Sequence, residues 1–93
     1  MKSISIDFSQ CKYPMDIHCE IKEKLKLPEW YGNNSDALWD MLVGFISTPI
    51  EITVIFKPEK EVSKNLKESV LRIIEIFKEA AAEDVEIKLN IEL

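Results

Sequence analysis

Alternation of apolar and polar residues opens the chain. Over residues 2–8, Ile4, Ile6 and Phe8 fall on one side, which predicts a β-strand. The period then lengthens. Pro14 suits a first helical position, and Ile17, Ile21 and Leu25 recur every four residues with Lys22, Glu23 and Lys24 turned elsewhere. That spacing predicts an amphipathic helix over residues 14–25. Residues 27–34 contain Pro28, Gly32, Asn33 and Asn34 and read as a loop and helix entry, with Gly32 expected to need glycine's backbone freedom. Asn34 or Ser35 can cap the next helix, and Asp36 falls in its first turn, where the helix dipole favours an acid. Leu38, Met41, Leu42 and Phe45 lie at i, i+3, i+4 and i+7, which predicts a buried stripe, and Gly44 is the expected stop.

After Pro49, residues 50–56 form a nearly continuous run of β-branched and aromatic side chains, expected to be a central strand that is covered on both sides or heavily packed. Residues 57–63 are polar and read as a turn or loop. A long helix follows over about residues 63–83, with Leu66, Val70, Ile73, Ile74, Phe77 and Ala81 on one face. Val85, Ile87, Leu89 and Ile91 then alternate with Glu86, Lys88, Asn90 and Glu92, predicting a last strand with one wet face. Strands separated by helices favour parallel pairing through right-handed crossovers. The expected fold class is α/β: a three-stranded parallel sheet with helices packed mainly on one face, in a single domain spanning residues 1–93.

Charge narrows the function classes. Twelve basic and 17 acidic residues give a net charge of −5, and the pI is near 4.9. Such a domain is a poor candidate for gripping a phosphate backbone or an anionic membrane, and cationic partners remain. Cys11 and Cys19 do not make a disulfide framework. No apolar run is long enough to span a bilayer, and the first residues lack the apolar stretch of a signal peptide. The expectation is a reduced, cytoplasmic protein.

The charge is unevenly spread. Residues 27–56 hold Glu29, Asp36, Asp40 and Glu51 and no Lys or Arg, while the rest of the chain is nearly balanced. The same stretch carries Trp30, Trp39, Tyr31, Phe45 and Phe56. An acidic, aromatic-rich segment suits recognition of a cationic surface; alternatively, the aromatics are core and the acids merely solvated. Asp36 and Asp40 share one helix face at i, i+4, a spacing that costs a few tenths of a kcal/mol, with no basic residue to relieve either. Glu79 has Glu75 and Glu83 as its i±4 neighbours. Enzyme readings fare worse. His18 is the sole histidine. Cys11 and Cys19 are eight residues apart, which matches no tight zinc spacing. Adjacent positions such as His18 and Cys19 point about 100° apart on a helix, too far for a nucleophile–base pair. Glycines at 32 and 44 alone make no phosphate-cradling loop. No catalytic residue, metal ligand or cofactor is expected.

The block Leu-Pro-Glu-Trp-Tyr-Gly-Asn-Asn-Ser-Asp-Ala-Leu-Trp-Asp over residues 27–40 resembles the signature of the barstar family, intracellular inhibitors of a secreted bacterial ribonuclease. Asp16-Ile17-His18 before it, with Glu68-Ser69-Val70-Leu71 and Phe77-Lys78-Glu79-Ala80 after it, extend the resemblance over most of the chain. What the resemblance implies is the same three-stranded fold and an inhibitor that plugs a ribonuclease active site. The implied partner-facing residues are Trp30, Asn34, Asp36, Trp39 and Asp40, with Tyr31 beside them. Gly44 and Phe45 would follow at the end of that helix, and Ile76 and Glu79 on the last one. Asp40 would enter the phosphate pocket, flanked by Asp36 and Glu79. Trp30 stands where the family has tyrosine and Phe45 where it has tryptophan, so a related toxin nuclease fits as well as the ribonuclease itself. The expected partner is a basic, extracellular-type nuclease, with no direct contact to nucleic acid or membrane. The competing readings are an immunity protein against a different basic toxin nuclease and, less favoured, a small enzyme or metal-binding domain.

Overall fold

In a computed structural model, which describes residues 2–93, the chain runs β1 (Lys2–Asp7), α1 (Pro14–Leu25), α2 (Ser35–Gly44), β2 (Ile50–Ile55), α3 (Lys64–Glu83) and β3 (Ile87–Glu92). The strands are parallel, in spatial order β1-β2-β3, with Ile4 opposite Ile52 and Ile52 opposite Leu89. This is the expected α/β arrangement. Period-2 burial along β2 shows why one face wins: Ile50, Ile52 and Val54 are buried, whereas Glu51, Thr53 and Ile55 are only partly covered. Phe8 lies just past β1 yet is fully buried, and its N–H still donates to the Ile55 carbonyl at 2.8 Å.

α1 lies over β1, α3 over β3, and α3 also packs against both α1 and α2. Their apolar stripes, Ile17 and Ile21 on α1, Leu38 and Leu42 on α2, and Leu66, Val70 and Phe77 on α3, close one core with the sheet. Burying each such side chain stabilises the fold by roughly 1.5–3 kcal/mol. Helix ends are fixed by local chemistry. The Asp16 carboxylate accepts the Lys12 and Tyr13 N–H groups at 3.0 Å each, and these two hydrogen bonds hold its pKa below the usual carboxylate value. Ser63 Oγ accepts the Leu66 N–H at 3.1 Å and starts α3. α1 ends with Lys26 at φ 53°, its N–H returning to Glu23 and that of Leu27 to Lys22.

Two sequence expectations, at Val85 and Gly32, are corrected here. β2 is central and, of the two arrangements expected for it, takes heavy packing on one face; the open sheet face carries Ser3, Ser5, Glu51, Thr53, Lys88 and Asn90. There Glu51 accepts from Ser3 Oγ at 3.1 Å and from Asn90 Nδ2 at 3.0 Å. Val85 is not part of β3: it is 95% exposed, because Asp84 turns the chain by accepting the N–H of Glu86 on its side chain and that of Ile87 on its carbonyl. α2 ends at Gly44, the expected stop, without a left-handed residue there. Gly32, however, is not the residue with positive φ; that conformation falls on Asn33, at φ 53°. What keeps Gly32 small is proximity, since a Cβ there would sit 3.2 Å from that of Ala37.

Candidate functional site

Residues 27–34 are pinned from inside. Leu27 and Tyr31 are buried, and the Tyr31 N–H donates to the Pro28 carbonyl at 3.0 Å. The Tyr31 hydroxyl lies 2.9 Å from His18 Nδ1 on α1, and Lys22 Nζ reaches Glu29 at 3.0 Å. With Leu27 and Tyr31 turned inward, Trp30 is turned out and is 68% exposed. Its indole meets Phe45 edge-on, with ring centroids 6.2 Å apart and planes at 86°, the arrangement the ring quadrupole favours. The loop is thereby joined to the end of α2. Phe45 leaves the stripe predicted for it because α2 ends one residue earlier; it is 46% exposed.

Asn34 is the N-cap of α2. Its Oδ1 accepts the Ala37 N–H at 2.8 Å and its Nδ2 donates to the Gly32 carbonyl at 3.2 Å. Asn34→Ala is expected to destabilise the fold by about 1 kcal/mol, with Asn34→Asp recovering most of the loss; urea denaturation midpoints of the two variants check this. From the cap, Asp36 and Asp40 project on the side of α2 opposite Leu38, Met41 and Leu42, and both are exposed. Among the described residues neither aspartate enters an ion pair or a side-chain hydrogen bond. Trp39 is half-buried at the rim of the core. Val43 lies one turn beyond Asp40 on the same outer side and is 48% exposed, a contact candidate that the sequence reading missed. A single apolar residue on the outer side of a helix gives no signal of its own; its i+3 spacing from Asp40 was the available clue.

Ile76 and Glu79 lie on α3, the helix against which α2 packs. Ile76 is partly buried against the core, and Glu79 is exposed and, among the described residues, unpaired. Tyr31 contributes from beneath, since it is 4% exposed.

The charge bias of residues 27–56 does not map onto one face. Glu29 is paired with Lys22. Glu51 lies on the open sheet face, where Lys88 Nζ approaches to 3.8 Å and the Asn90 and Ser3 hydrogen bonds hold its pKa down. Asp36 and Asp40 are what remains uncompensated.

The nucleophile and base candidates are committed elsewhere. Cys11 is buried, and burial reinforced by Glu20, Asp16 and Asp7 pushes its thiol up to about 11, which makes it a poor nucleophile. Burial likewise pushes the Tyr31 phenol up to about 12. His18 is shifted the other way: burial lowers its pKa, favouring the neutral ring that holds Tyr31. An unfolded histidine titrates near ~6.5, so just below that pH the unfolded chain binds a proton that the fold refuses. Stability is therefore full above about pH 6.5 and falls as pH drops toward the lower folded value. Urea midpoints at about pH 7.5 and about pH 5.5 should differ in that direction, and His18→Gln should shrink the difference. Among the described residues no three His, Cys, Asp or Glu side chains are grouped to hold a metal ion, and no helix is long and apolar enough to cross a membrane.

Two comparisons bear on the chain as a whole. The family model described as Barstar (barnase inhibitor) matches residues 1–93. A Bacillus subtilis (strain 168) protein named "Putative ribonuclease inhibitor YrdF" is 33% identical over 83 residues, covering 89% of this chain and 89% of its own length.

Proposed function

The chain belongs to the barstar family, and from that premise we propose that it is a stoichiometric protein inhibitor of a basic, extracellular-type ribonuclease. It would act as a single domain in the cytoplasm and block the nuclease active site. The observation that carries this reading is the pair Asp36 and Asp40, exposed on one side of α2 with no basic partner among the described residues, together with the outward Trp30–Phe45 contact. A ribonuclease site that holds RNA phosphate is lined with Arg, Lys or His. A carboxylate entering it replaces the phosphate charge with charge-assisted hydrogen bonds, which are roughly twice as strong as neutral ones. Asp40 takes that role, with Asp36 and Glu79 adding to the field that steers encounter.

Around the acids, Trp30, Phe45, Val43 and the exposed edge of Trp39 supply apolar contact area, with Gly44 allowing close approach and Ile76 alongside Glu79. Asn34 and Tyr31 hold this surface in shape. The protein itself needs no cofactor, and its acidic surface disfavours direct binding of RNA or membrane. The Trp30–Phe45 pair, which departs from the family's tyrosine and tryptophan, supports a related toxin nuclease as an alternative target to barnase.

Titrating a basic secreted ribonuclease with the protein tests the proposal. RNA hydrolysis should stop at one equivalent, and added RNA should compete with the protein. Binding to a basic nuclease without loss of RNA hydrolysis would instead support immunity against another toxin chemistry, and the ribonuclease-plug reading would fall.

A further inference from the structure

β3 is the last strand of the sheet, and among the described residues no strand lies beside its outer edge. The parallel ladder fixes which backbone groups face outward. The carbonyls of Glu86 and Glu92 accept from Ile50 and Phe56 on β2. By alternation, the backbone groups of residues 88, 90 and 92 also point to β2, and those of Leu89 and Ile91 point to open solvent. β3 has no proline and is a regular six-residue strand, so the charges of Lys88 and Glu92 are what guards this edge against unselective pairing.

From this edge we infer that β3 pairs antiparallel with β3 of a second copy of the chain, centred on Asn90, to make a continuous six-stranded sheet. The register is selected by charge. In a two-fold antiparallel pair centred on Asn90, Lys88 of one copy lies opposite Glu92 of the other, twice over. Both side chains are more than half, or half, exposed, at 64% and 50%, and both are on the open face of the sheet. Leu89 lies opposite Ile91 on the core side, where both are only partly covered in one copy. The outward N–H and C=O groups of Leu89 and Ile91 then meet as hydrogen-bonded pairs. The Lys88–Glu92 pairs fall at the non-hydrogen-bonded positions, where side chains approach most closely. Shifting the centre to Leu89 puts Glu86 against Glu92, and shifting it to Lys88 puts the two lysines against each other; like charges directly opposite are destabilising. The β1 edge offers no such match, since a pair centred on Ile4 sets Lys2 against Ile6.

One short edge is far smaller than a standard interface of about 1,600 Å², so the dimer is weak and is sought by sedimentation equilibrium from micromolar to millimolar protein. The parent chain should show a monomer–dimer equilibrium. Lys88→Glu and Glu92→Lys should each weaken it about tenfold, which is about 1.4 kcal/mol, and the double variant should return to near the parent value. Neither swap restores the contacts of Lys88 to Glu51 or Glu92 to Lys57 within one copy, so recovery in the double variant reads the pairing between copies alone. Circular dichroism confirms that each variant is folded. A parent that stays monomeric at millimolar concentration, or a dimer indifferent to both single swaps, overturns the pairing.

Discussion

Asp40→Ala is expected to weaken binding to the cognate ribonuclease by about 2–5 kcal/mol or more, the range found when one partner of a buried charge pair is truncated. That range comes from measured interfaces of this kind, barnase–barstar among them, and not from this chain. Folding should respond in the opposite direction or not at all. Asp40 makes no side-chain contact that the fold depends on, and it sits four residues from Asp36, where like charges destabilise a helix by a few tenths of a kcal/mol. Asp36 is partly excused by its first-turn position, so the relief should be greater at Asp40. Calorimetric titration against the nuclease, with a thermal melt of the free variant, reads both effects. Asp40→Asn separates charge from shape and should lose nearly as much affinity. Raising the salt concentration should slow association as the Debye length shrinks from ~10 Å at 0.1 M to ~3 Å at 1 M. A variant that binds as tightly as the parent would remove Asp40 from the nuclease site.

The second large effect is on stability. Phe77→Ala should destabilise the fold by about 3–5 kcal/mol, because the ring is 1% exposed in the middle of the helix that packs against α1, α2 and β3. A chain of this length has a total stability of roughly 5–14 kcal/mol, so the variant forfeits a large share of it. Urea denaturation should show a lower midpoint with an unchanged slope. Leu71→Ala, on the same helix but 44% exposed, should be nearly silent and serves as the control.

The sheet and all three helices were readable in the sequence because each buries a regular stripe, and a stripe is a local property. Expectations failed where regularity was carried past its end. Phe45 continues the α2 spacing by one turn, but the helix stops at Gly44, so the ring turns outward to Trp30. Val85 continues the β3 alternation backwards, but Asp84 bends the chain first. The acidic excess between residues 27 and 56 is real as a count. Its partners, Lys22 for Glu29 and Lys88 for Glu51, come from elsewhere in the chain, and no window along the sequence could reveal them. The pairing of His18 with Tyr31 was hidden for the same reason: neither residue carries a local mark of the other. Asp36 and Asp40 were legible because their isolation is itself local, with no basic side chain within one helical turn.

Asn34 is occupied at both ends of its amide, by the Ala37 N–H and the Gly32 carbonyl, whereas the Trp30 and Phe45 rings stand outside the core and Phe45 closes α2 through its backbone N–H, which any residue but proline supplies. Changes of target can therefore accumulate at positions 30 and 45 one replacement at a time, each leaving a sound scaffold. At position 34 only another capping side chain such as Asp keeps the helix start, and any other replacement passes through a loosened scaffold. Diversity among descendants of this chain should concentrate at those two rings, with a capping side chain kept at position 34.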